Sequence, residues 1–175
     1  MNEFLRYRFL IDSGVDVLFK NEINSLQFTY NFSDDYFRFL LVNSNSALKR
    51  IAGDVSIFFG YGEDSLDVLE EINEESFFSP YIFIMGRWDK DTLIGEVLVG
   101  EHKGAIVLLD EEQYCDIDSI EELFEDIDNV ECLMKCDASI VRMLLSEELG
   151  VAKVLECSFI EFLENRLLLG NGHRC

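Results

Sequence analysis

The residue types that carry acid–base or nucleophilic chemistry near neutral pH are scarce in this chain. It has two histidines, His102 and His173, and neither stands in a sequence context resembling a nucleophile and base pair. Both read as structural or solvent-facing groups rather than as general bases. The five cysteines, Cys115, Cys132, Cys136, Cys157 and Cys175, show no disulfide pattern. They read mostly as small core residues. Cys132-x-x-x-Cys136 would set two thiols on one helix face, but no second pair stands at zinc-ligand spacing, so packing is the expected role. Asp89-x-Asp91 and Asp116-x-Asp118 lack the further ligands and closing glutamate of a calcium loop. Gly60-Tyr61-Gly62 lacks the third glycine of a dinucleotide fingerprint, and the chain has no Gly-Lys-Ser phosphate loop. The expectation is a protein with no catalytic residue, cofactor or metal ligand.

Residue types suited to recognition are better placed. Protein interfaces concentrate their binding energy in Trp, Tyr and Arg. The single tryptophan, Trp88, stands between Arg87 and Asp89 in a polar segment ending at Asp91, where a core residue is not expected. Tyr61, Glu63 and Asp64 form a second aromatic–acidic loop, and Asp110-Glu111-Glu112 a third acidic run. Together these ten residues are the candidate partner-binding surface.

The surface they belong to is strongly acidic. Thirty-five Asp and Glu against 14 Lys and Arg leave a formal net charge of −21. Such a field repels phosphate backbones and anionic lipid heads, which argues against nucleic acid and membrane surfaces as partners. It attracts basic proteins and speeds their encounter; it also keeps an apolar-rich chain soluble, and charge alone does not separate the two roles.

The elements that must position these residues follow from periodicity. Apolar residues make up 49% of 175 residues, with 15 Phe, enough for one domain with a substantial core. The chain reads as a single domain over residues 1–175, with tails of roughly 12 residues at the start and 6 at the end. Val15, Leu18, Phe19, Ile23 and Leu26 predict a helix over 14–26. A second helix starts at Ser33, whose hydroxyl can cap it, with Asp34 and Asp35 at the positive end of its dipole. A β-rich run over 55–59 precedes a helix over 65–75. Strands are expected over 81–86, 93–99 and 105–109, the last two joined by a loop with Gly100 and Gly104 at its ends. Helices are expected over 118–127 and 158–168; residues 130–149 are ambiguous, with 139–148 leaning helical. Helices before and after consecutive strands define an α+β fold, a central mainly antiparallel sheet flanked by helices. No apolar run approaches the roughly 18–20 residues that span a bilayer. The first residues lack a signal-peptide pattern, so the expected location is cytoplasmic.

This linear order resembles the SUKH superfamily. The segment from Phe32 to Ser44, with Tyr36, Phe39 and Leu40, is similar to that family's Leu-Pro-x-x-Tyr-x-x-Phe-Leu segment. Tyr81 to Gly86, the hairpin from Leu93 to Leu109 and Ser158-Phe159-x-x-Phe162-Leu163 follow in the family's order, covering roughly residues 14–168. Ser33 and Ser44 stand where proline and glycine are usual, Asp89, Asp91 and Gly95 spread out the family's Gly-Asp pair, and residues 111–150 form a longer stretch than is typical. The resemblance implies an immunity protein that neutralises a toxin, often a nuclease or deaminase, by direct contact in the bacterial cytoplasm. The alternative it implies is a regulatory or scaffolding interaction module without a toxin partner. A small enzyme using a cysteine or a carboxylate pair is a third reading that no motif favours.

Overall fold

The computed structural model describes residues 17–43, 58–59 and 65–169. Among the described residues three helices come first: α1 (Val17–Tyr30), α2 (Asp34–Asn43) and α3 (Ser65–Glu75). Strands β1 (Ile82–Arg87), β2 (Thr92–Val97) and β3 (Ile106–Asp110) follow. Then come α4 (Ile120–Leu123), α5 (Val130–Leu133), α6 (Asp137–Leu144), strand β4 (Ala152–Val154) and α7 (Phe159–Leu169). The four strands form one antiparallel sheet in the order β1-β2-β3-β4. The protein is α+β, with helices on both faces of the sheet.

The strands are apolar along nearly their whole length because both faces are covered. Phe83, Met85, Ile94 and Ile106 face a cluster built with Ile23, Leu26, Phe32, Tyr36, Phe39 and Leu40 of the N-terminal part, and Phe159, Phe162 and Leu163 of α7. Ile82, Ile84, Leu93, Val97, Val107 and Leu109 face Ile120, Leu123, Phe124, Ile140, Val141 and Leu144. Each such side chain contributes about 1.5–3 kcal/mol by leaving water. Within the first cluster the Tyr36 and Phe39 rings lie 5.0 and 5.2 Å from that of Phe159.

Helix α2 begins as its sequence predicts. Ser33 Oγ accepts from the Tyr36 backbone N–H at 3.3 Å. Its own N–H and hydroxyl both donate to the Glu96 carboxylate at 2.7 Å. A buried acid on β2 thus completes the cap that a glutamate three residues on supplies in a local capping box. Helix α7 uses the local version: Ser158 N–H donates to Glu161 Oε2 at 2.8 Å, while Glu161 N–H donates to Ser158 Oγ at 3.4 Å.

The outer edge of β1 is closed partly by side chains and partly by the backbone of Phe58 and Phe59. Asn73 on α3 donates to the Ile84 carbonyl and accepts from the Ile84 N–H, both at 2.8 Å, acting as a one-residue substitute strand. One position on, the register shifts at Met85, whose carbonyl accepts from Phe59 N–H at 2.8 Å and Tyr36 hydroxyl at 3.3 Å. Gly86 bridges to Phe58, the described end of the β-rich run expected over 55–59; residues 55–57 lie outside the described residues.

Three expectations change. The helix expected over 118–127 stops at Leu123. Beyond it Glu125, Asp126 and Asp128 would load acids onto the negative end of the helix dipole, and Asn129 turns left-handed with φ 61°. Strand β4 was not expected, being only three residues long. Three of the described cysteines are not core residues: Cys115, Cys132 and Cys136 are exposed, and Cys157 is half-buried. Cys115, Cys132 and Cys136 fall among the short helices between β3 and β4, while Cys157 follows β4 and packs against the edge of the first cluster.

Candidate functional site

One end of the sheet collects most of the candidate residues. β1 leaves the sheet at Arg87, turns through Trp88 to Asp91, and β2 returns at Thr92, with Trp88 N–H donating to the Thr92 carbonyl at 2.8 Å. Thr92 pairs with Asp110 at the exit of β3, so the acidic run 110–112 lies against the turn. Glu111 N–H donates to the Asp91 carbonyl at 2.8 Å and ties the two segments. Asp110 caps the following single turn of 3-10 helix by accepting from Glu112 N–H at 3.1 Å. Asp89 does the same within the hairpin, accepting from Asp91 N–H at 3.1 Å.

Arg87 is the clamp of this arrangement. Its Nη1 donates to the Lys90 carbonyl at 2.8 Å and contacts Glu111 Oε2, while Nη2 donates to Glu111 Oε1 at 3.2 Å. The paired fork geometry fixes both the hairpin and the chain after β3. Lys90 Nζ stands 3.4 Å from Asp91 Oδ1 but is otherwise solvent-facing. Asp89, Asp91, Asp110, Glu111 and Glu112 outnumber these two cations, so the end of the sheet is acidic.

Trp88 lies over this end with 37% of its surface exposed. Its ring packs against Phe162 of α7, centroids 5.7 Å apart and tilted by 52°. The indole is therefore held in position while part of its area faces solvent. Behind the clamp, Tyr114 packs edge-on against Phe78 at 4.9 Å. Its hydroxyl is buried with no hydrogen-bond partner among the described residues. Burial first, then the Glu111 carboxylate, raises its pKa well above the usual phenol value, so it stays protonated.

Seven of the ten sequence candidates, Arg87, Trp88, Asp89, Asp91, Asp110, Glu111 and Glu112, thus meet at one end of the sheet. Tyr61, Glu63 and Asp64 lie outside the described residues. Sequence reading missed Tyr114 and Phe162 as supports. Tyr114 follows Glu111 by one turn, which is a readable signal; the contact between Trp88 and Phe162 has no local signature. Among the described residues no group of three or more His, Cys, Asp or Glu side chains could hold a metal ion. No helix among them is long and apolar enough to cross a membrane.

No family model, curated protein or solved structure matches this chain.

Proposed function

We propose that this protein is an immunity-type binder that neutralises a basic bacterial toxin domain by direct contact, without catalysis, using the end of the sheet around Trp88. The observation that carries the reading is the convergence there of a half-exposed, positioned indole with five carboxylates. That combination suits an aromatic anchor surrounded by charges that steer and orient a cationic partner. The resemblance to the SUKH superfamily supplies the toxin as the partner class. The acidic field further supports it, because a nuclease-like toxin presents a basic surface to its own substrate.

The test is association with the polypeptide encoded beside this chain. Stopped-flow binding is expected to slow at least tenfold between low salt and 0.5 M NaCl, because exposed charges separated by more than a few ångströms are screened there. Trp88→Ala is expected to weaken binding by about 2 kcal/mol or more, as loss of a central aromatic anchor does. An association rate indifferent to salt, with Trp88→Ala binding as tightly as the parent, rejects this surface as the interface. Binding of a regulatory protein rather than a toxin, at the same surface, would select the alternative role.

A further inference from the structure

The opposite end of the sheet carries a groove of about 500 Å³. Helices α1 and α3 both end there, contributing Thr29 and Tyr30 from one and Asn73 and Glu74 from the other. The carbonyl end of a helix carries a partial negative charge of roughly half an elementary unit, which lysine or arginine usually offsets. Neither last turn contains a basic residue, and none lines the groove. Glu70 stands one turn before Glu74 with its side chain exposed, and both carboxylates are close enough to act on the Tyr30 phenol, whose pKa burial and then these charges raise. The Tyr30 ring is fixed against Phe83 at a centroid distance of 5.1 Å. Pro80, Leu98 and Val99 give the groove an apolar wall.

Two helix ends without a basic residue, the lining Glu74 with Glu70 one turn behind it, an aromatic ring and an apolar wall are the complement of a planar cation on a methylene stem. We infer that this groove receives an arginine side chain displayed by a protein partner. The guanidinium lies between the helix ends and Glu74, its plane against the Tyr30 ring, and the stem runs along Leu98 and Val99. This site is separate from the Trp88 surface, and neither depends on the other.

The probe is N-acetylarginine N-methylamide, which presents one arginine side chain on a neutral backbone, followed by amide NMR of the intact chain. Saturable shifts are expected at Tyr30, Asn31, Ser76 and Val99. The neutral citrulline counterpart is expected to bind at least fivefold more weakly. Glu70→Gln with Glu74→Gln is expected to cost at least fivefold, and both side chains are exposed, so the fold is retained. An equal charge change elsewhere, Glu121→Gln with Glu122→Gln, is expected to leave the affinity unchanged, which separates the groove from the overall field. Equal binding of the citrulline compound, equal loss from both double variants, or shifts centred on residues 110–131 overturns the inference. Tighter binding of N-butylguanidinium, which carries the same single charge as the blocked arginine, would overturn the protein partner and assign the groove to a small alkylguanidinium.

Discussion

Glu96 is the residue whose chemistry is least like that of its neighbours. It is 1% exposed on β2, yet it holds the start of α2 through both Ser33 hydrogen bonds. Burial raises its pKa more than those two bonds lower it. A carboxyl whose folded pKa lies above its unfolded value binds more protons in the folded state. Its contribution is therefore most favourable below the unfolded pKa and is lost as pH rises through the folded one. Glu96→Gln keeps an acceptor for the Ser33 N–H and removes the buried charge. The variant is expected to be as stable as the parent in mild acid and more stable by about 1 kcal/mol at pH 7, measured by urea unfolding across pH 4–8. Tyr114 gives a second test at this scale. Its phenol oxygen is buried without a partner among the described residues, so Tyr114→Phe is expected to be neutral or stabilising by up to about 1 kcal/mol. The burial of Glu96 is not readable locally. Glu96 alternates with Leu93 and Val97 along β2 and so shares the face of Ile94, where Ser33, distant in sequence, meets it.

At the level of elements, the sheet's first edge depends on a side chain. Asn73 satisfies both backbone groups of Ile84 from within the core. Asn73→Ala leaves a buried N–H and a buried carbonyl unpaired, at about 1–3 kcal/mol each, and is expected to lower the urea midpoint accordingly. In the middle of the sheet, a Cβ on Gly95 would come within 2.5 Å of Ile82 Cγ2 and 3.3 Å of the Phe83 carbonyl. Gly95→Ala is expected to cost about 1–3 kcal/mol, as overpacking does. The helices and strands with strong periodicity were legible. The α3 span coincides with its sequence expectation, Ser33 caps α2, and Gly100 and Gly104 take up positive φ, 82° and 85°, at the ends of the β2–β3 loop. What was not legible depends on distant parts of the chain. β4 exists because β3 offers it an edge, and the helix after Ser119 ends where acids crowd its last turn. At the candidate site, chain proximity could nominate Arg87 to Asp91 and Asp110 to Glu112 separately. Only the strand register brings them together.

For the whole molecule, a net charge of −21 means that folding gathers like charges into a small volume. Added salt screens that repulsion over roughly 8–10 Å at 0.10–0.15 M. The folded state is therefore expected to gain stability with NaCl, in contrast to the slowing of partner association by the same salt. A gain of about 1 kcal/mol would raise the melting temperature by about 2–4 °C for a chain of this size. Calorimetry at 20 and 300 mM NaCl reads it directly. Under the proposed function, stability and association rate are expected to respond to salt in opposite directions.

Trp88 is the chain's single tryptophan, held by Phe162 with about a third of its surface in solvent. The protein thus carries its own optical gauge at one defined place. All indole emission comes from the end of the sheet, so a blue shift or loss of iodide quenching on adding another molecule locates that molecule without any attached dye. An unchanged spectrum alongside real binding points instead to the far end, where Tyr30 lines the groove.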